Sequence, residues 1–172
     1  RVGSGFRWDR DAGTGWSSMK SGQADLDALV ERFADKILAA AAPLGEPTAL
    51  VAREAYRDVV RFLRDERGYN LLRDVTAVDY HTVEPRYHIV AHLAALPASM
   101  LAGNATPSPD DPLRTLRIKV PVPADDTVVD SLVPLFPTAN FHERETWDLF
   151  GIEFAGHPDL RRILMPEDYE GF

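Results

Sequence analysis

A chain of 172 residues, 45% of them hydrophobic and 27% charged, is long enough to bury a core as one globular domain. Its formal charge of −8, with no Lys/Arg-rich run, excludes nucleic acid as the main partner, because phosphate binding needs a basic face. Cysteine is absent, which excludes disulfides, cysteine-ligated zinc and a cysteine-ligated iron–sulfur cluster held by this chain.

Residues 1 to 18 read RVGSGFRWDRDAGTGWSS, glycine and serine alternating with single aromatics and no period. They carry no apolar core followed by a small-residue cleavage site. The expectation is a flexible N-terminal extension or added tail ahead of a natural start at Met19, with 19–172 as one domain. From there, Leu26, Leu29, Val30, Phe33, Ile37 and Ala41 recur at helical spacing among charged residues. This predicts an amphipathic helix over about 24–42, ended by Pro43 and Gly45. The longest apolar stretch, Ile37 to Pro43, is too short to span a bilayer, so membrane association is expected only through another subunit.

Thr48 to Ala52 reads as a short strand. Glu54 to Arg67 reads as a second helix with Tyr56, Val59, Val60 and Leu63 on one face and Gly68 as its stop. Leu72–Tyr80 and Arg86–Leu96 read as strands joined by a loop at His81–Pro85. In the second of them His88, Val90 and His92 share one face. Leu116, Ile118, Val120 and Val122 alternate with Arg117, Lys119 and Pro121, a strand that Pro121 should place at an edge or end. Between the last two lies PASMLAGNATPSPDDPLR, an expected surface loop whose residues 98–113, with 1–18, should be the least ordered. The order helix, strand, helix, strands, helix, tail predicts an α+β fold. It is a two-layer α/β arrangement with a mixed sheet, the early helices on one face, a short C-terminal helix and an irregular tail.

That last helix is the most charged stretch of the chain, NFHERETWDLFG at 140–151. Asn140 offers an N-cap, Glu143 stands at the capping-box position and Gly151 at the left-handed C-terminal position. Winding at 100° per residue groups Glu143 with Thr146, Trp147 and Phe150, and leaves Arg144, Glu145 and Asp148 opposite. The local reading gives Glu143 to the cap, Arg144 and Asp148 to a solvated i, i+4 pair, and Trp147 and Phe150 to the core. Catalysis is disfavoured, because Glu143 and Glu145 point about 160° apart on a helix of 100° per residue. A zinc helix is disfavoured too: position 146, where the second histidine belongs, is Thr. His88 and His92 without an aligned carboxylate make a weak metal candidate. There is no glycine-rich phosphate loop, nucleophile elbow or nicotinamide fingerprint. Accordingly no catalytic, cofactor-binding or metal-ligating residue is assigned.

Taken together, Glu143-Arg144-Glu145, then Trp147, Asp148 and Phe150, then His157, Arg161 and Arg162 before Ile163-Leu164, resemble a known signature. It is that of the 30 kDa subunit of respiratory complex I, known in bacteria as the C subunit of NADH-quinone oxidoreductase. LLRDVTAVDY at 71–80 and RIKVPVPADD at 117–126 resemble two of the family's strands, and the likeness covers about residues 24–172. The family usually continues beyond this point with a proline- and basic-rich segment lying along partner subunits, whereas the sequence here ends at Phe172.

The resemblance implies a two-layer α/β fold and a subunit without a redox centre or cofactor, one that belongs to a translocase and is not itself catalytic. Its place is the hydrophilic arm of a proton-pumping NADH-quinone oxidoreductase, near the quinone-reducing end. The expected partners are the 49 kDa (D-type) subunit and cluster-bearing neighbours. The expected location is peripheral, on the cytoplasmic face of a bacterial membrane or the matrix side of a mitochondrial one. The alternative is the equivalent subunit of an energy-converting hydrogenase or formate-oxidising complex. A free-standing metal-dependent enzyme using His88 and His92 is the remaining reading.

Overall fold

A computed structural model of the chain describes residues 22–103, 107 and 110–172. The helices and strands follow in the order α1 (Gln23–Phe33), β1 (Ile37–Ala41), β2 (Thr48–Val51), α2 (Tyr56–Arg67), β3 (Leu71–Asp79), β4 (Tyr87–Ala95), α3 (Ala98–Leu101), β5 (Arg114–Val122), β6 (Val128–Asp130), α4 (Ala139–Phe150) and β7 (Glu153–Ala155). Five strands form one mixed sheet in the order β1-β2-β5-β4-β3, with only β2 and β5 parallel. Strands β6 and β7 form a separate parallel pair.

Period-2 alternation decides which face is core. Ile89, Ala91 and Leu93 of β4 stand opposite Val120, Ile118 and Leu116 of β5, and all six are fully or nearly fully buried. Tyr56, Val59, Val60 and Leu63 of α2 and Leu26 and Leu29 of α1 cover that face in one apolar cluster. His88, His92, Arg117 and Lys119 point the other way, as the alternation requires. The early helices therefore lie on one face. Gly68 ends α2 at φ 73°, a left-handed conformation that costs glycine little.

Two expectations change, and a third, which left Pro121 at an edge or an end, is decided for the end. The predicted helix over 24–42 stops at Phe33, and Ile37–Ala41 is instead an edge strand pairing antiparallel with β2. A run of small apolar residues carries no period, and pairing with Thr48–Val51 settles it as strand. The Pro121 strand is interior, not at an edge, yet β2 reaches only Lys119 and β5 ends at Val122, so the proline falls where one neighbour has stopped. Within the expected loop, Ala98–Leu101 is a helical turn whose Ala98 amide donates to Asp111 Oδ2 at 2.9 Å. Residues 1–21, 104–106, 108 and 109, on which the expectation of least order partly falls, lie outside the described residues.

The edge strand β3 is covered by a helix. α4 runs along β3, and the Thr146 hydroxyl lies 3.1 Å from the Val75 carbonyl oxygen and 2.8 Å from that of His142. One hydroxyl proton serves two carbonyls, one on the strand edge and one on its own helix. The contact occupies one acceptor on the edge of β3, along which α4 lies. A buried ion-pair cluster ties the early helices to the central strand β5. Asp25, 1% exposed, accepts from Arg67 Nε at 2.7 Å, from the Tyr69 hydroxyl at 3.0 Å and from Arg114, joining α1, the end of α2 and the start of β5.

Candidate functional site

The charged helix is positioned from both sides. Pro137 and Thr138 precede it, and Thr138 is its N-cap with no side-chain cap bond, so Asn140 lies inside the helix rather than capping it. The capping box does not form. Glu143 is completely buried and turns inward, accepting from the Ser131 hydroxyl and the Leu132 amide at 2.6 Å each. These donors come from the segment after β6, and they bolt α4 to it. Burial pushes the Glu143 carboxyl up to about 7, against the lowering effect of those two donors. The Tyr56 hydroxyl, also buried and without a hydrogen-bond partner among the described residues, titrates well above its usual value because of burial and then the Glu143 charge.

The expected Arg144–Asp148 pair is replaced by two separate clamps on the chain that follows. Arg144, 9% exposed, donates through Nε to the Arg161 carbonyl at 3.2 Å and through Nη2 to the Arg162 carbonyl at 3.0 Å. Asp148, fully buried, accepts from the amides of Ile163, Leu164 and Met165 at 3.0, 2.7 and 2.9 Å and from Arg162 Nη1 at 2.7 Å. Burial works against ionisation there, but the three amides and Arg162 outweigh it and hold the carboxyl well below the usual carboxylate range. Neither residue is a solvated surface charge, because the tail folds over both.

Arg162 is the hub of the tail. Its guanidinium also donates to the carbonyls of Tyr169 and Gly171, and lies 5.9, 5.8 and 5.5 Å from the ring centroids of Trp147, Tyr169 and Phe172. Trp147 and Phe172 meet edge to face at 5.8 Å. Trp147 is therefore half-buried under the tail rather than in the core, while Phe150 packs on the core's margin. Arg161 points away and pairs with Asp159 at 2.9 Å. His157 Nδ1 accepts from the Asp159 amide at 3.0 Å, which leaves the proton on Nε2 to donate to the Asn140 carbonyl at 3.1 Å. Glu145 is exposed.

On the open sheet face, His92 lies 3.9 Å from Glu46 and 4.0 Å from Asp74, and His142 lies 3.4 Å from Asp74. Burial lowers both strand histidines, and Lys119 helps to bring His88 down to about 4. His88 stacks edge-on against Tyr80 at 4.8 Å. Among the described residues no three histidines or carboxylates are placed to hold a metal ion, and no helix is long and apolar enough to cross a membrane.

The sequence reading missed Ser131, Leu132, Asp25 and the carbonyl of Val75. Their partners stand 11 to 89 residues away, and no local motif signals such pairings.

Fold and site together define a two-layer domain in which a charged helix, bolted to one neighbour through Glu143, straps down the segment that follows it. The same architecture is found in a trypsin-resistant fragment (1–134) of Nqo5, with a TM-score of 0.63 and 30% identity over 78% of this chain and 97% of that one. A chain from the membrane-bound sulfane sulfur reductase, an archaeal respiratory membrane complex, matches at TM-score 0.63 and 19% identity over 87% of this chain and 79% of that one, a likeness of fold alone.

The model of the respiratory-chain NADH dehydrogenase 30 Kd subunit matches residues 49–172, and the chain belongs to that family. Among its relatives, the C subunit of NADH-quinone oxidoreductase from Geobacter sulfurreducens is 42% identical over 83% of this chain and 80% of its own length. The C subunit from Citrifermentans bemidjiense is 39% identical over 83% and 80%, and that from a Roseiflexus species 41% over 85% and 77%.

Proposed function

We propose that this chain is a non-redox structural subunit of the hydrophilic arm of a proton-pumping NADH-quinone oxidoreductase. It supports assembly of the quinone-reducing module, while electrons pass from NADH to quinone through neighbouring chains. The observation that carries this reading is where the buried charge is spent. Asp148, Arg144 and Arg162 converge on backbone groups of residues 161–171. Such an arrangement fixes a surface and moves no proton or electron. The chain has no cysteine with which to ligate a cluster.

Residues 19–172 act as one domain behind an N-terminal extension, and the signature residues Glu143 to Arg162 shape the surface that partners meet. The partners are a 49 kDa (D-type) chain and cluster-bearing neighbours, with the subunit peripheral on the cytoplasmic face of a bacterial membrane. Affinity purification of the tagged chain from membranes in mild detergent tests this. Recovery of flavin- and NADH-binding chains with NADH-quinone activity supports it. Recovery of a hydrogenase or formate-oxidising set moves the chain to that branch, and recovery of no partner overturns both.

A further inference from the structure

The clamped tail presents apolar side chains to solvent. Ile163, Leu164, Phe141 and Leu149 are 36, 59, 62 and 39% exposed. Phe141 and Leu149 lie eight residues apart on the outer side of α4, with Glu145 between them, adjoining the arc from which Arg144 and Asp148 grip the tail. Residues 161–165 therefore lie alongside this stripe. Nothing in core burial orders Ile163 and Leu164. Buried charges do so, and the result is a preformed apolar surface that loses little entropy when it is covered.

The rim of the surface identifies what covers it. Residues 163–172 contain Glu167, Asp168 and Glu170 and no Lys or Arg, and with Glu145 these carboxylates are exposed and, among the described residues, form no ion pair. The exposed base of this region, Arg161, is already paired with Asp159.

We propose that the outer face of α4 and the clamped segment form a docking surface for a partner polypeptide with an apolar patch rimmed by Lys or Arg. This rests on the proposed role as a complex subunit, and it names the surface through which that role is exercised. A second copy is disfavoured, since a two-fold contact would set the acidic rim against itself. An anionic lipid surface is repelled by the same charges.

The test supplies full-length variants as the sole copy in the organism that makes the protein. One carries Phe141→Ser with Leu164→Ser, the other Glu167→Lys with Asp168→Lys and Glu170→Lys. The fraction recovered with the membrane complex is quantified against the parent. The expected result is at least a tenfold loss for each variant, with an unchanged urea midpoint of the isolated chain. Parent-level incorporation of either variant overturns the proposal. So does a parent dimer that the serine variant converts to monomer, or flotation of the isolated parent with phosphatidylserine vesicles. A parent chain found in no complex sinks the functional reading itself, a separate and visible failure. Where a variant shifts the midpoint, Leu164→Asn and Glu170→Gln carry the same comparison.

Discussion

The Asp148 carboxylate, none of it exposed, takes Arg162 Nη1 at 2.7 Å together with three successive backbone amides, so one side chain fixes a whole turn of extended tail. Arg162 is 17% exposed at its side chain, so the pair is shielded from solvent. Replacing Asp148 by Ala strands the arginine and three amides and is expected to cost about 3–5 kcal/mol. Arg162→Ala leaves the amides in place and should cost less, about 2 kcal/mol. Arg161→Ala removes only an exposed pair and should stay within about 0–1 kcal/mol. Urea unfolding of the three variants checks the ranking, and equal effects of Arg161 and Arg162 would contradict the geometry.

Gly151 links the helix to the tail's far end. Its φ of 68° is left-handed, and a Cβ built there would lie 2.8 Å from the Phe172 ring. Gly151→Ala should therefore cost about 1–2 kcal/mol in backbone strain and also push Phe172 off Trp147. Trp147 is half-buried against that ring, so its fluorescence should shift to longer wavelength. Gly68→Ala makes the control: it has the same left-handed backbone, and among the described residues the only atom within contact range is the end of the Arg114 side chain at 3.7 Å. It should lose stability without the spectral change.

Much of this was legible in the sequence, and the failures have physical causes. β5 alternates cleanly because one face is core and the other carries Arg117 and Lys119, and in β4 the period still shows although Val90 and Ala94 are buried on the histidine face. β1 reads ILAAA, and small apolar residues suit a helix and a strand alike until a partner strand is known. The tail-to-helix ion pair is made by Arg162 with Asp148, whereas Arg161 turns to Asp159. Position alone could not choose between adjacent arginines, since that depends on how residues 151–160 turn. Glu143 reads as a local cap because a carboxylate in the first turn of a helix usually is one. Its true donors are 11 and 12 residues upstream, brought close by the β6–β7 pair.

Asp25 offers a second test of buried charge, remote from the site. It is 1% exposed and answers Arg67, Arg114 and Tyr69, with burial and then the Asp25 charge raising the tyrosine well above its ordinary value. Asp25→Ala leaves two cations facing each other at the corner where α1, α2 and β5 meet. The expected cost is about 3–5 kcal/mol. Hydrogen exchange should locate the damage in α1 first, because that helix is held by few other polar contacts. Uniform loosening of the sheet with α1 still protected would show that the corner is not its anchor.

Glu143 makes the fold sensitive to pH in an unusual direction. Its carboxyl titrates near 7 in the folded chain, above the ordinary 4.5, because burial disfavours the charge more than Ser131 and Leu132 favour it. The folded state thus binds more protons than the unfolded state between about 4.5 and 7, and the stability this group contributes falls as pH rises through that window. The full difference is roughly 3 kcal/mol at 1.36 kcal/mol per unit. His88 acts oppositely: held near 4 in the fold by burial and then by Lys119, it contributes stability that rises with pH up to about 6.5. The parent profile is accordingly flattened, and the informative quantity is a difference. Glu143→Gln keeps an acceptor for the Leu132 amide and a group for the Ser131 hydroxyl but does not titrate. Its stability relative to the parent should climb between pH 4.5 and 7 and level off above. Urea midpoints of the two proteins at pH 4.5, 6 and 8 check this. A difference that stays constant across the series would mean that Glu143 is ionised throughout, held so by its two donors.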